Sequence, residues 1–236
     1  MKPLVKLSAL SALMFIAKSH AFNVDKMFVI SDDKGNGIIT LTNNQERPLF
    51  INSNIEEIDI DGTEIVKKTY NRENVDSWKI SLTNSKFVLN PGESKDIGIR
   101  SLCHNTSCDT TQDLTFLIPF APSTYTEGGY QTSGIEVNYG YSPVFVIPTS
   151  SPKIDYEIEN RGSQLWVDNN SNTLINVYVD ACSESNDKFC KQRYTLVANR
   201  EKVFELPKTM QASKLAVTVS THDRESQRRF VLDREL

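Results

Sequence analysis

The chain has 236 residues, 26 of them Lys or Arg and 30 Asp or Glu, for a formal charge of −4 at pH 7. That acidic balance, with no basic patch interleaved with aromatics, argues against nucleic acid as a partner. Beyond the first 21 residues no stretch approaches the roughly 18 apolar residues a membrane helix needs, so a membrane-embedded protein is not expected.

At the N-terminus Lys2 and Lys6 precede an apolar run over 7–17, and Ser19-His20-Ala21 sets small residues where a signal peptidase requires them. Residues 1–21 read as a secretory signal peptide cut after Ala21. The mature chain, 22–236, is then exported. Loss of Lys2, Lys6 and Lys18 leaves 23 basic against 30 acidic residues. A chain of about 215 residues allows one large domain or two of immunoglobulin size.

From residue 24 onward, short runs rich in Val, Ile, Thr, Tyr and Phe alternate with turn residues about every ten positions. Strands are predicted over 27–31, 37–42, 48–52, 78–82, 86–89, 96–102 and 114–120. Asp33-Lys34-Gly35-Asn36-Gly37 and Asn90-Pro91-Gly92 supply turn chemistry between them. Glu56-Glu57-Ile58-Asp59-Ile60-Asp61 alternates as a half-exposed strand or hairpin. Its carboxylates read as a solvated edge, since a calcium loop needs six or more converging oxygens. Trp78, like Trp166 further on, sits in a strand-like run and is expected in the core.

Cys103 and Cys108 form one close pair and Cys182 and Cys190 another. In an oxidising compartment two local disulfides are favoured among the three connectivities that four cysteines allow. Cys103-His104 does not extend to a zinc site, because third and fourth ligands are not evident nearby.

Residues 134–148 read GIEVNYGYSPVFVIP, in which Ile135, Val137, Tyr139 and Tyr141 alternate with Glu136, Asn138, Gly140 and Ser142. Such alternation ordinarily packs one face of a strand on its own core. Here the segment closes the first half of the chain, follows a Gly- and Thr-rich loop over 123–133 and runs through Pro143 toward a junction at 148–152. A last strand longer than its partners leaves backbone groups unpaired, and a partner lacking a strand can accept that edge by β-augmentation.

Past Pro148-Thr149-Ser150-Ser151-Pro152 the strand pattern restarts over 155–159, 164–168, 174–180, 194–198, 202–205, 215–220 and 229–232, with a polar turn over 223–227 before the last. The reading is an all-β chain of two immunoglobulin-like β-sandwich domains in tandem, 22–148 and 153–236.

With a signal peptide, two sandwiches and this alternating strand, the chain resembles the PapD-like periplasmic chaperones of chaperone-usher pili. Residues 165–206, LWVDNNSNTLINVYVDACSESNDKFCKQRYTLVANREKVFEL, further resemble the alternate chaperones of α-fimbrial and common-pilus systems. In those, a strand ends in Asn-Asn, the next leads to a cysteine, and a second cysteine follows about eight residues on. The resemblance implies a periplasmic chaperone that lends Ile135, Val137, Tyr139 and Tyr141 to pilus subunits and delivers them to an outer-membrane usher. It also strengthens the reading of Cys182 and Cys190 as a disulfide. The family's best-known branch holds the subunit's terminal carboxylate with an arginine and a lysine. Alignment puts those positions at Phe28 and Ser142, neither cationic, so Lys26 and Arg100 are the nearest substitutes.

Of the histidines only His104 and His222 follow the signal peptide, and no G-x-S-x-G, H-E-x-x-H or phosphate-binding glycine loop occurs. No enzyme, cofactor or metal site is therefore expected. The rival reading is structural: a two-domain pilus subunit, adhesin or other surface-binding protein.

Overall fold

A computed structural model describes residues 22–61, 63–103, 108–125, 138–182 and 189–235. In chain order the strands of the first half are β1 (Phe22–Val24), β2 (Phe28–Ile30), β3 (Gly37–Asn43), β4 (Leu49–Ser53), β5 (Glu56–Asp61) and β6 (Glu64–Thr69). There follow β7 (Ile80–Leu82), β8 (Lys86–Leu89), β9 (Ser94–Ser101), β10 (Leu114–Leu117), β11 (Phe120–Thr124) and β12 (Val144–Ile147). They form sheets of order β1-β3-β9-β7, β2-β12-β10-β5-β6 and β11-β4-β8. The second half holds β13 (Tyr156–Asn160), β14 (Gln164–Asn169), β15 (Ile175–Asp180), β16 (Lys191–Leu196), β17 (Arg200–Glu205), β18 (Lys214–Ser220) and β19 (Gln227–Asp233). Its sheets run β13-β14-β17 and β16-β15-β18-β19. No helix among the described residues is long and apolar enough to cross a membrane.

Alternation builds both cores, since side chains two apart share a face of a strand. In the first half Ile39, Leu41, Ile51, Ile97, Ile99, Phe116 and Phe145 point inward and are fully or almost fully buried. In the second, Leu165, Val167, Ile175, Val177, Leu215 and Val217 do the same. The Asp33–Gly37 turn depends on Gly35, whose φ of +77° is open to glycine at no steric cost. Each half also buries an asparagine as a turn staple. Asn43 donates through Nδ2 to the carbonyls of Arg47 and Leu89, both at 2.9 Å, and Asn169 likewise to Thr173 at 3.0 Å and Val197 at 2.8 Å. Their Oδ1 atoms accept from Gln45 N and Ser171 N, so these buried amides leave little unsatisfied.

Several local expectations are refined. The run 114–120 is not one strand: it breaks after Leu117, and β10 and β11 belong to different sheets. Pro119 has no N–H to continue the ladder, and strands that switch sheets at such a bend make the corners of a sandwich. The acidic stretch forms the β5–β6 hairpin, but its first two carboxylates are paired. Glu56 meets Lys67 at 2.9 Å, and Glu57 binds Lys79 and accepts from the Tyr70 hydroxyl at 3.0 Å. Burial, above all, raises that hydroxyl's pKa well beyond the usual phenol range. Trp78 packs against the first core, stacked on Tyr70 at 5.4 Å between ring centroids. Trp166 does not join the second core. It lies on the outward face of β14, under the Arg161 guanidinium and bonded through Nε1 to Glu201 at 2.7 Å. Alternation with the inward Leu165 and Val167 leaves it no place inside. Disulfides link Cys103 to Cys108 and Cys182 to Cys190. Closing such short loops is worth about 2–3 kcal/mol each on a chain-entropy model.

The two halves meet at Asp113. Its buried carboxylate accepts from Thr149 N at 2.8 Å on the connecting segment, and from Leu174 N at 2.8 Å and the Thr173 hydroxyl at 3.1 Å in the second half. Asp113 N donates to Asn172 O, and Asn172 Nδ2 donates back to Thr111 O at 2.6 Å. Burial is the main influence on the carboxyl and raises its pKa against three lowering hydrogen bonds. The folded chain therefore holds a proton there at pH values where the unfolded chain has released it. Stability falls as pH rises through the interval between the ordinary Asp value and the raised one.

Asp113→Ala should orphan these donors and lower stability by about 2–4 kcal/mol in urea unfolding at neutral pH. Asp113→Asn should flatten the dependence across that acid interval, seen by repeating the urea titration at a series of pH values.

Candidate functional site

The alternating segment reaches its place through two prolines. β12 lies inside its sheet, antiparallel to β10 and parallel to β2, with Phe145 and Val146 fully buried. Immediately before it, Pro143 cannot donate, but its carbonyl accepts from Ile118 N at 3.0 Å. Pro143 thus sits beside the Pro119 bend, and both chain segments leave the sheet at the same level. Residues 138–142 then run along β11, which is the edge of the β11-β4-β8 sheet.

One rung ties the segment there. Phe120 N donates to Tyr141 O at 2.7 Å and Tyr141 N to Phe120 O at 3.2 Å, an antiparallel bonded pair. In such a pair both backbone groups of one residue face the partner, and those of its neighbours point away. Gly140 and Ser142 accordingly direct their N–H and C=O groups off the sheet, and these have no hydrogen-bond partner among the described residues. The approach to β11 needs a glycine: a Cβ at Gly140 would stand 2.7 Å from Phe120 O.

Tyr139 is 78% exposed. Tyr141 is partly buried, its ring 5.8 Å from that of Phe22. Asn138 Oδ1 is shielded from solvent with no donor among the described residues. Ile135 and Val137 lie outside the described residues. The parallel register begins with Val144 opposite Phe28, and Val144 N donates to Met27 O at 2.9 Å, so Lys26 stands just before the start of that pairing. Lys26 is exposed, its Nζ 3.8 Å from Asp25 Oδ2. Arg100 is exposed on β9 opposite Ser81, with β3 between it and β1. The fold thus brings Phe22 against Tyr141 beside the exposed Tyr139, with Lys26 on the segment between β1 and β2 and Arg100 on β9.

Phe22, Gly140 and the pairing with Phe120 escaped the sequence reading. A glycine between two tyrosines in a strand pattern marks close backbone approach, and that signal was available.

Residues 24–148 match the family model of the CS5 fimbrial protein N-terminal domain. An Escherichia coli protein, described as an uncharacterized 25.9 kDa protein in the CS5 3′ region, is 24% identical over 191 residues, covering 80% of this chain and 82% of that one. Among solved structures, the class 5 fimbriae chaperone CfaA superposes with a TM-score of 0.54 at 15% identity over 91% of this chain and 99% of that one. A structure of the Salmonella enterica SafA pilin in complex with the SafB chaperone matches with a TM-score of 0.55 at 12% identity, over 92% and 97%. The two-sandwich fold read from the sequence is thus the fold of fimbrial chaperones. On the match over 24–148, the chain belongs to the CS5 fimbrial protein family.

Proposed function

We propose that this protein is a periplasmic chaperone of pilus subunits, with a donor domain over 22–148 and a second sandwich over 153–236. The observation that carries the reading is the edge at 138–142. Gly140 and Ser142 turn their backbone groups outward beside an exposed Tyr139, on a fold shared with fimbrial chaperones. An incomplete subunit gains main-chain hydrogen bonds from that edge, and its open groove takes Ile135, Val137, Tyr139 and Tyr141. Burying such side chains is worth about 1.5–3 kcal/mol each before ordering costs. Tyr141 is already partly spent on Phe22, so Tyr139 and the residues before it supply most of the new burial.

Lys26, just before the strand that pairs with β12, and Arg100 on β9 are the two candidate cations for a subunit carboxylate. The chaperone then hands the subunit to an outer-membrane usher. The rival reading, a pilus subunit, expects a sandwich lacking its closing strand, whereas here β12 occupies the position between β2 and β10.

Co-expression with subunits of the same pilus system should yield a soluble equimolar complex on gel filtration. Val137→Asp with Tyr139→Asp should abolish it, and an intact complex from the double variant would overturn the proposal. Gly140→Ala should push the segment off Phe120. It should speed hydrogen exchange at the Tyr141 amide and weaken subunit capture by about tenfold, while the second sandwich keeps its protection.

A further inference from the structure

The outer face of the β16-β15-β18-β19 sheet is concave, enclosing about 500 Å³. Strand alternation sends the apolar residues inward and leaves three rungs outside. The middle rung reads Arg193, Tyr178, Thr218, Arg229 across the four strands. The next pairs Lys191 with Asp180 at 2.9 Å, which cancels the single carboxylate in the lining. The Cys182 amide first, and then Lys191, hold the Asp180 carboxyl below its ordinary pKa, with a smaller contribution from Arg229, and Asp180 in turn holds Lys191 above its own. The guanidinium groups of Arg193, Arg224 and Arg229 also line the concavity, with no side-chain hydrogen bond or close ion pair among the described residues. Three guanidinium groups against one carboxylate, itself paired with Lys191, stand out in a chain with more acidic than basic residues.

A second observation points the same way. Arg224 occupies the β18–β19 turn with φ +64°, a left-handed backbone that favours glycine or asparagine. A strained position of this kind motivates a functional reading of its residue, and this side chain lines the concavity. The floor between the arginines is not purely polar: Tyr178 is 37% exposed, and Val231 on the neighbouring rung is 62% exposed.

We propose that this face docks an acidic, extended segment of a partner polypeptide, laid across the strands along the Arg193–Tyr178–Thr218–Arg229 rung. Arg193 and Arg229 stand three strand steps apart, about 14 Å at about 4.8 Å per step. An extended peptide rising about 3.3 Å per residue puts side chains at i and i+4 on one face at that spacing. Carboxylates at those positions meet the two guanidinium forks, and an apolar side chain at i+2 covers Tyr178. The surface lies in the second sandwich, so the inference does not rest on the donor edge at 138–142.

The test uses the full mature chain and a fluorescein-labelled synthetic peptide of repeating Glu-Ser-Val-Ser, read by anisotropy. Binding should weaken about tenfold between about 0.05 M and 0.5 M salt, as exposed charges are screened. Arg193→Glu with Arg229→Glu should lower affinity at least about tenfold at low salt and remove the salt dependence. Arg224→Gly, which relieves the turn while deleting a guanidinium, should leave folding intact and weaken binding about two- to threefold. Unchanged affinity in the double variant would overturn the proposal. So would equal binding of a Gln-Ser-Val-Ser peptide, or flotation with phosphatidylglycerol vesicles without binding of the acidic peptide.

Discussion

Every backbone N–H and C=O group of a sheet has to find a partner or face water, and the first sandwich is arranged around two places where a donor is missing. Pro119 and Pro143 sit side by side, joined by the bond from Ile118 N to the Pro143 carbonyl. At that level β10 gives way to β11 and β12 to the segment before it, so two neighbouring chain segments pass together from one sheet to the other. The same step that closes the five-stranded sheet over Phe145 and Val146 delivers residues 138–142 to an edge. Core and edge are consequences of one pair of prolines.

The junction between the sandwiches follows a similar economy. Asp113 and Asn172 occupy donors and acceptors from three chain segments, among them the connection itself at Thr149. A carboxylate that is both buried and triply bonded is costly to strip of its partners. The second sandwich is thereby held against the end of the first at the foot of β10, the strand that begins the path to the edge.

Much of this was legible in the sequence. The strand runs over 96–102 and 174–180 are predicted from it, their alternation is what buries Ile97 and Ile99 or Val177 and Val179, and the close spacing of the cysteines matched both disulfides. The breaks were not legible, because an apolar run such as 114–120 keeps its composition across a change of sheet, and only long-range pairing reveals the corner. Trp166 was misplaced for a related reason. Its bulk argues for burial, but parity along β14 assigned it to the outside, where Arg161 and Glu201 cover it. At the site, Tyr139 and Tyr141 looked equivalent in alternation, whereas one is exposed and the other rests on Phe22. Sequence periodicity specifies a face and is silent on what already occupies it.

Pro143 also has a mechanical reading. Peeling residues 138–142 away from β11 breaks the two bonds at Tyr141 and then arrives at a residue that contributes no N–H to the ladder. The next bonds, from Ile118 N to the Pro143 carbonyl and from Val144 N to Met27 O, stand between the segment and the buried Phe145 and Val146.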